Sequence, residues 1–173
     1  MRRSLFVFVA LFVAACSTPD APPSSQRSPV DFAPEPSGDG PAVFVRGRPD
    51  TLGDRVLVDV VARGALDVHG AAFRLRFDPA MLAYSEIAPG VQWHSGAMAV
   101  AKEGTPGQLA VVFAEKGGIG IVAKDETILG TLTFDVKKHG PTALSFRADR
   151  SGVVDRDGNP VAVTWHGGTL TTH

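Results

Sequence analysis

Near the C-terminus, the segment SGVVDRDGNPVAV places oxygen-bearing side chains at the alternating spacing of a metal site. Asp155 and Asp157 alternate with Asn159, and Gly158 precedes the asparagine. A calcium loop of the EF-hand type needs further oxygen ligands and a closing glutamate, whereas a proline and apolar residues follow here. Asp-Gly between two strand-like runs favours a hairpin, because glycine accepts a positive φ angle. We predict a turn, and a metal site on Asp155 and Asp157 is the weaker alternative.

Arrangements that could support catalysis are incomplete. His94 precedes Ser95, but no G-x-S-x-G elbow and no neighbouring acidic residue complete a hydrolase site in the sequence. No histidine spacing matches a zinc motif. No complete catalytic or cofactor motif is present, so no cofactor is expected, and a small hydrolase built from residues distant in sequence is the weakest alternative. Four carboxylates could in principle form a glycosidase pair, although nothing in the sequence places two of them across a cleft: Glu103, Glu115, Asp125 and Glu126.

A sugar-binding surface needs exposed aromatic rings, and the chain has few candidates. Tyr84, Trp93 and Trp165 are the aromatic residues other than phenylalanine. Trp165 falls in a terminal strand pattern and is expected in the core. Trp93 falls in a glycine-containing region and is the candidate for an exposed sugar contact. Polysaccharide binding is therefore kept as the alternative function.

The first sixteen residues have the pattern of a bacterial lipoprotein signal. Arg2 and Arg3 precede an apolar run over residues 5–15, which is too short to span a membrane permanently. The sequence FVAAC resembles a lipobox, in which the cysteine is acylated and becomes the mature N-terminus. Cys16 is the only cysteine. Ser17 follows it instead of the aspartate that favours inner-membrane retention, so we expect lipid anchoring in the bacterial cell envelope, at the outer membrane.

Residues 17–41 predict a tether. The segment is rich in proline and serine and has few large apolar side chains, so it cannot bury enough surface to fold. As an extended polyproline helix it would reach about 75 Å, at about 3.1 Å per residue. We expect a disordered spacer between the lipid anchor and a folded domain.

Residues 42–173 predict an all-β domain. Strand-like runs alternate in polarity, most clearly in AAFRLRF and TLTFDV, and no segment keeps a helical period. About eight or nine short strands separated by glycine and proline favour a two-sheet sandwich. The net charge of −1 gives no electrostatic argument for nucleic-acid binding.

The order of these runs resembles the cohesin domain, the β-sandwich that binds dockerins in cellulosomes. The matching features are a Phe-x-Leu-x-Phe-Asp-Pro strand end, the FAE strand with its glycine-rich continuation, and a hairpin leading to a terminal strand that begins Gly-Thr. The resemblance covers residues 42–171. It implies a jelly roll of about nine strands and a non-catalytic function, in which one sheet face docks a protein partner.

The resemblance also implies which residues lie at that face. By position they are Gly70 and Ala72 on the first strand, and Val112, Glu115 and Gly118 on or after the FAE strand. The small Gly70 and Ala72 stand where cellulosomal cohesins often place polar residues, which removes hydrogen-bond partners.

Two arginines belong to the same outward face. Arg74 and Arg76 follow Ala72 at alternating positions and could pair with an acidic partner, or lie on a solvated strand face. The expected partner is a secreted or periplasmic protein, either dockerin-like or of another kind, with polysaccharide as the alternative. The membrane is contacted only through the lipid on Cys16.

Overall fold

The computed structural model describes residues 30–48, 54–94 and 96–173. The predicted signal segment and Cys16 lie outside these residues. Within them the regular elements are strands, apart from a single 3-10 turn at Ala148–Arg150, and no helix has the length and hydrophobicity needed to cross a membrane. The strands are β1 (Val30–Pro34), β2 (Ala42–Gly47), β3 (Arg55–Arg63), β4 (Ala65–Val68), β5 (Gly70–Arg76), β6 (Leu82–Pro89), β7 (Met98–Glu103), β8 (Gln108–Ala114), β9 (Ile121–Ala123), β10 (Thr127–Val136), β11 (Gly140–Phe146), β12 (Gly152–Val154), β13 (Pro160–Val161), β14 (Thr164–His166) and β15 (Gly168–Thr172).

Strand β5 lies at the centre of the larger sheet, which we call the front sheet. β8 pairs antiparallel with β5 along its whole length, and β7 pairs with β8 in turn. β5 also pairs with the end of β11 and with β12. From β11 the sheet continues through β15 to β1, and from β12 it continues to β13. The candidate residues on β5 and β8 are therefore side by side in one sheet.

The second sheet, which we call the back sheet, has the strand order β14-β2-β3-β10-β6. Its pairs are antiparallel except for β14 and β2, which run parallel. A separate two-stranded ribbon joins β4 to β9. The prediction of an all-β, two-sheet sandwich is confirmed. The strands outnumber the predicted nine mainly because short strands such as β1, β4, β7 and β9 were not predicted.

The core lies between the two sheets and follows from the alternation along each strand. Phe113 of β8 and Phe134 of β10 are among its largest fully buried side chains, together with Leu75 and Leu132. Trp165 packs against this core, with its ring 5.0 Å from that of Phe146. The predicted alternation on β5 is confirmed, because Phe73, Leu75 and Phe77 are buried while Ala72, Arg74 and Arg76 are exposed.

The predicted boundary of the folded domain at residue 42 is wrong. Residues 30–34, which were assigned to the tether, form β1 and pair antiparallel with β15. The Phe32 side chain is half-buried against Gly47 and Gly168, where an added Cβ would collide with it. The strand is short and ends in proline, and only Val30 and Phe32 alternate in it, so its sequence has almost no strand pattern.

Candidate functional site

The outward side chains of β5, β8 and β7 form a continuous surface, which we call the front face. Ala72 of β5 lies beside Val112 of β8, and Val112 lies beside Val100 of β7. Their exposure follows from period-two alternation, because Val111 and Phe113 on either side of Val112 fill the core. The sequence prediction placed Ala72 and Val112 on one face, and the structure brings them together.

One half of the front face is apolar. Val112, Val100 and Met98 are exposed by 37%, 49% and 54%, and Val154 on β12 adds a fourth exposed apolar side chain. Only small residues lie between them, which leaves the methyl groups accessible. Sequence reasoning missed Met98, Val100 and Val154. The alternation of larger and small residues in MAVAKE could have predicted that Met98 and Val100 lie on one face of β7.

The other half of the front face is basic. Arg74 of β5, Ala110 of β8 and Lys102 of β7 form one cross-strand row, and Arg76 lies two residues further along β5. Among the described residues, the side chains of Arg74, Arg76 and Lys102 have no hydrogen bond or ion pair with a protein group. Three cations therefore face solvent beside the apolar half.

Two predicted glycines lie at the edge of the front face where β5 begins and β8 ends. Gly70 begins β5 and is buried beneath Val154, whose Cγ2 would lie 3.1 Å from a Cβ at residue 70. Gly118 lies in the loop after β8, where its carbonyl oxygen accepts a hydrogen bond from Nη2 of Arg156 at 3.3 Å. Gly70 therefore shapes the edge of the face, and the loop that carries Gly118 borders it.

Glu115 does not lie on the surface, and the prediction that its carboxylate contacts a partner is wrong. Its side chain is 0% exposed, and its carboxylate occupies the space that a Cβ on Gly118 would need. Nδ1 of His94 lies 3.1 Å from Oε1, although the geometry is not that of a hydrogen bond, and neither carboxylate oxygen has a hydrogen-bond partner among the described residues. The Glu115 carboxylate therefore lies buried between its own loop and the His94 loop. Sequence reasoning missed this pair because 20 residues separate its members.

Trp93 is buried, so the prediction of an exposed sugar contact is wrong. The residue is only 7% exposed, and its Nε1 donates a hydrogen bond of 2.6 Å to the carbonyl oxygen of Leu129. A buried indole with a satisfied N–H cannot stack on a sugar ring. The alternative of polysaccharide binding loses the residue on which it depended.

The segment around Asp155 is the predicted hairpin turn between β12 and β13. Oδ1 of Asp155 accepts hydrogen bonds from the backbone N–H groups of Asp157 at 2.9 Å and Asn159 at 2.8 Å. Gly158 has the positive φ of 80° that the turn requires. The hydrogen bond from the Asn159 side chain, with those from the backbone, lowers the pKa of the Asp155 carboxyl. The described residues contain no group of three or more side chains placed to hold a metal ion.

The carboxylates considered for glycoside hydrolysis do not converge. Glu126 forms an ion pair with Arg46 at 2.8 Å on the back sheet. Glu103 accepts a hydrogen bond from the backbone N–H of Gly107 at 2.8 Å in its own turn. Ser95, the candidate nucleophile beside His94, lies outside the described residues.

The outward face of the back sheet differs from the front face because its polar groups pair with one another. Asp59 is buried, and its Oδ1 accepts a hydrogen bond from Oγ1 of Thr131 at 2.8 Å. Arg46 lies between Glu126 and Asp59, at 2.8 Å and 4.0 Å. This network leaves less unpaired charge on the back sheet to attract a partner.

The described residues form a two-sheet sandwich with one exposed, partly apolar sheet face. The cohesin-domain family model matches residues 42–170, so the chain belongs to the cohesin family. Members of this family are non-catalytic protein–protein interaction modules that bind dockerins. Strand β1 lies outside the residues that the family model matches.

Solved cohesin structures share the fold at low sequence identity. The CaCohA2 module of Clostridium acetobutylicum, in complex with CaDoc0917, is 18% identical with a TM-score of 0.65, over 77% of this chain and 99% of that chain. The sixth cohesin of Acetivibrio cellulolyticus scaffoldin B, in complex with a Cel5 dockerin mutant, is 19% identical with a TM-score of 0.61, over 75% and 96%.

A third neighbour comes from an archaeon. The non-cellulosomal cohesin of Archaeoglobus fulgidus is 20% identical with a TM-score of 0.56, over 75% of this chain and 88% of that chain. A comparison with curated proteins found no match.

Proposed function

We propose that this chain is a docking module that binds a protein partner through its front face. The observation that carries the proposal is the exposure of Met98, Val100 and Val112 in adjacent rows beside the unpaired Arg74. Exposed apolar surface next to polar residues is typical of protein interaction sites. The cohesin fold supports the same reading, and the scaffoldin B neighbour was solved with a dockerin bound.

The arrangement supports docking rather than catalysis. The apolar half of the front face is formed by outward side chains of adjacent strands, whereas substrate sites are usually concave pockets with convergent polar groups. Of the carboxylates that sequence reasoning considered for chemistry, that of Asp155 accepts hydrogen bonds within its own turn and that of Glu115 is buried. A dockerin-like protein is the partner class that the family supports.

The proposal includes a lipid anchor at Cys16, which would hold the module in the cell envelope. Because β1 begins at Val30, the proposed spacer would comprise only residues 17–29 and would span about 40 Å as an extended polyproline helix, at about 3.1 Å per residue. Val30 pairs with Thr172, at the end of the front sheet away from Gly70. The chain would therefore enter the domain at the end opposite Gly70. The Gly70 end of the front face would then point away from the membrane.

Paired affinity baits test the docking proposal. The full chain, immobilised through its C-terminus, is exposed to the secreted and envelope proteins of its own organism, beside a Val112→Asp variant. Val122→Asp is the matched control, because it makes the same change at an exposed valine on β9, which is not part of the front sheet. We expect a protein that the wild type and Val122→Asp retain and that Val112→Asp loses. If all three baits retain the same proteins, the front face is not the docking surface.

A further inference from the structure

The basic half of the front face ends in a small pocket with three arginines. Arg74, Arg147 and Arg150 line it together with Gln108, around a volume of about 170 Å³. Arg74 comes from β5 and Gln108 from β8, whereas the other two arginines come from the segment after β11. The pocket therefore joins the front face to the loop beside it.

The backbone fixes the positions of these arginines. The N–H of Arg147 donates to the carbonyl oxygen of Arg74 at 2.9 Å, and the N–H of Arg150 donates to the carbonyl oxygen of Arg147 at 2.9 Å. Oγ of Ser151 donates to the same Arg147 oxygen at 2.7 Å. These bonds hold the backbones of Arg74, Arg147 and Arg150 close together, so a partner is not needed to order them.

The local charge is positive after internal pairing. Asp149 accepts hydrogen bonds from Arg147 at 2.8 Å and 3.3 Å, and Nε of Arg150 lies 3.7 Å away. The single carboxylate of Asp149 thus pairs with two guanidinium groups. The Arg74 side chain has no protein acceptor among the described residues. Arg76 and Lys102 extend the same charge along the face.

Guanidinium groups bind carboxylates through two parallel hydrogen bonds, which gives both attraction and orientation. The pocket is continuous with the apolar half, because Arg74 is only two residues from Ala72 on the same side of β5. A complementary surface must therefore carry carboxylates on one side and apolar side chains on the other.

We propose that the arginine pocket binds acidic side chains of the partner protein, and that this partner presents aspartate or glutamate beside the apolar residues that contact Val112. The inference rests on the proposed function of the front face. It adds the chemistry of the partner, an acidic and apolar protein segment, and assigns Arg74 and Arg150 as residues that select for it.

A short acidic peptide tests the pocket without requiring the partner. The probe is hexaglutamate, titrated into the full chain by isothermal titration calorimetry at low salt, and heparin is titrated in parallel as a sulfated polysaccharide. The test variant is Arg74→Gln/Arg150→Gln. The matched control is Lys124→Gln/Lys138→Gln, which removes the same charge from two exposed lysines away from the pocket. Circular dichroism checks that both variants remain folded.

We expect hexaglutamate to bind at least tenfold more weakly to the arginine variant and within about twofold of wild type to the lysine control. Equal weakening in both variants would show a general charge effect and would overturn the proposal. Heparin binding that depends on the two arginines, with no such dependence for hexaglutamate, would assign the pocket to a sulfated glycan and would also overturn it.

The same variants separate this inference from the docking proposal. If Val112→Asp loses the captured protein but the arginine variant retains it fully and binds hexaglutamate normally, the docking proposal stands and the acidic-partner inference fails. If the arginine variant alone loses hexaglutamate and Val112→Asp changes no capture, the pocket binds acidic peptides, but the docking proposal fails and with it the inference about the partner.

Discussion

In both sheets, buried and outward side chains alternate along the strands. The two sheets differ in whether their outward polar side chains pair with one another. On the back sheet, Arg46 pairs with Glu126, and Thr131 donates to the buried Asp59. On the front face, Arg74 and Arg76 have no such partners among the described residues, and the valines beside them are exposed. The back sheet's outer residues therefore contribute to stability, whereas the front face is left available for another molecule.

The comparison shows that exposure alone does not identify a binding surface. Both sheets expose polar side chains, but a partner gains free energy by burying exposed apolar area and by pairing with charges that have no internal partner. Changes to inward or internally paired residues should reduce the free energy of unfolding. Changes to the outward residues of the front face should reduce binding and leave stability nearly unchanged.

The largest stability effect is expected at Phe113, which lies beside Val112 on β8 but points into the core. Phe113→Ala should lower the free energy of unfolding by about 3–5 kcal/mol, because it leaves a cavity among fully buried side chains. Val112→Ala, the matched outward change, should cost less than about 1 kcal/mol. Urea denaturation of both variants measures the difference. Equal losses would contradict the assignment of Val112 as an outward residue.

The paired network of the back sheet should give the next largest effect. Asp59→Ala removes the buried acceptor of the Thr131 hydroxyl and should cost about 1.5–3 kcal/mol. Asp135→Ala is the control, because its ion pair with Arg55 is exposed at 3.4 Å and should contribute about 0–1 kcal/mol. Thermal denaturation distinguishes them. If Asp59→Ala destabilises the protein no more than Asp135→Ala, the claim that the paired network on the back sheet contributes to stability is contradicted.

Strand β1 should make a smaller contribution to the free energy of unfolding and none to partner binding. Phe32→Ala removes a half-buried ring from between Gly47 and Gly168 and should cost about 1 kcal/mol. Capture of the partner should not change, because β1 is separated from β5 by β15 and β11. A stability unchanged from wild type would mean that β1 does not pack on the domain in solution.

The smallest effect is expected at the turn, and it depends on pH. Hydrogen bonds lower the pKa of Asp155 in the folded protein, so its charged form stabilises the fold above the ordinary aspartate pKa of about 3.9. That contribution is lost as the pH falls through the lowered value. The stability difference between wild type and Asp155→Asn should therefore be largest near neutral pH and shrink below about pH 4.

Denaturation curves at several pH values follow this difference. Asp157→Asn, in the same turn, is the control. A difference between wild type and Asp155→Asn that stays constant down to acidic pH would contradict the proposed role of the carboxylate.

The sequence predicted the sandwich and the outward position of Ala72 and Val112, because alternation is a local property of each strand. It could not predict that Glu115 is buried, because its partner His94 and its cover Gly118 meet it only in the folded loops. Trp93 was misplaced for the same reason, since its hydrogen-bond acceptor Leu129 is distant in sequence.

The arginine pocket was only half predictable. Arg74 was visible from the strand pattern, but Arg147 and Arg150 come from a segment more than 70 residues away. The hydrogen bond between the backbone groups of Arg147 and Arg74 brings them together. Strand β1 was missed because the proline-rich composition around it outweighed two apolar residues.

Amide hydrogen exchange, measured on the full chain alone and bound to its captured partner, tests the central claim most directly. We predict slower exchange in the complex at β5, β8 and β7, with β3 and β10 unchanged. Slower exchange confined to β3, β10 and β6, with the front sheet unaffected, would contradict the assignment of the front face as the docking surface.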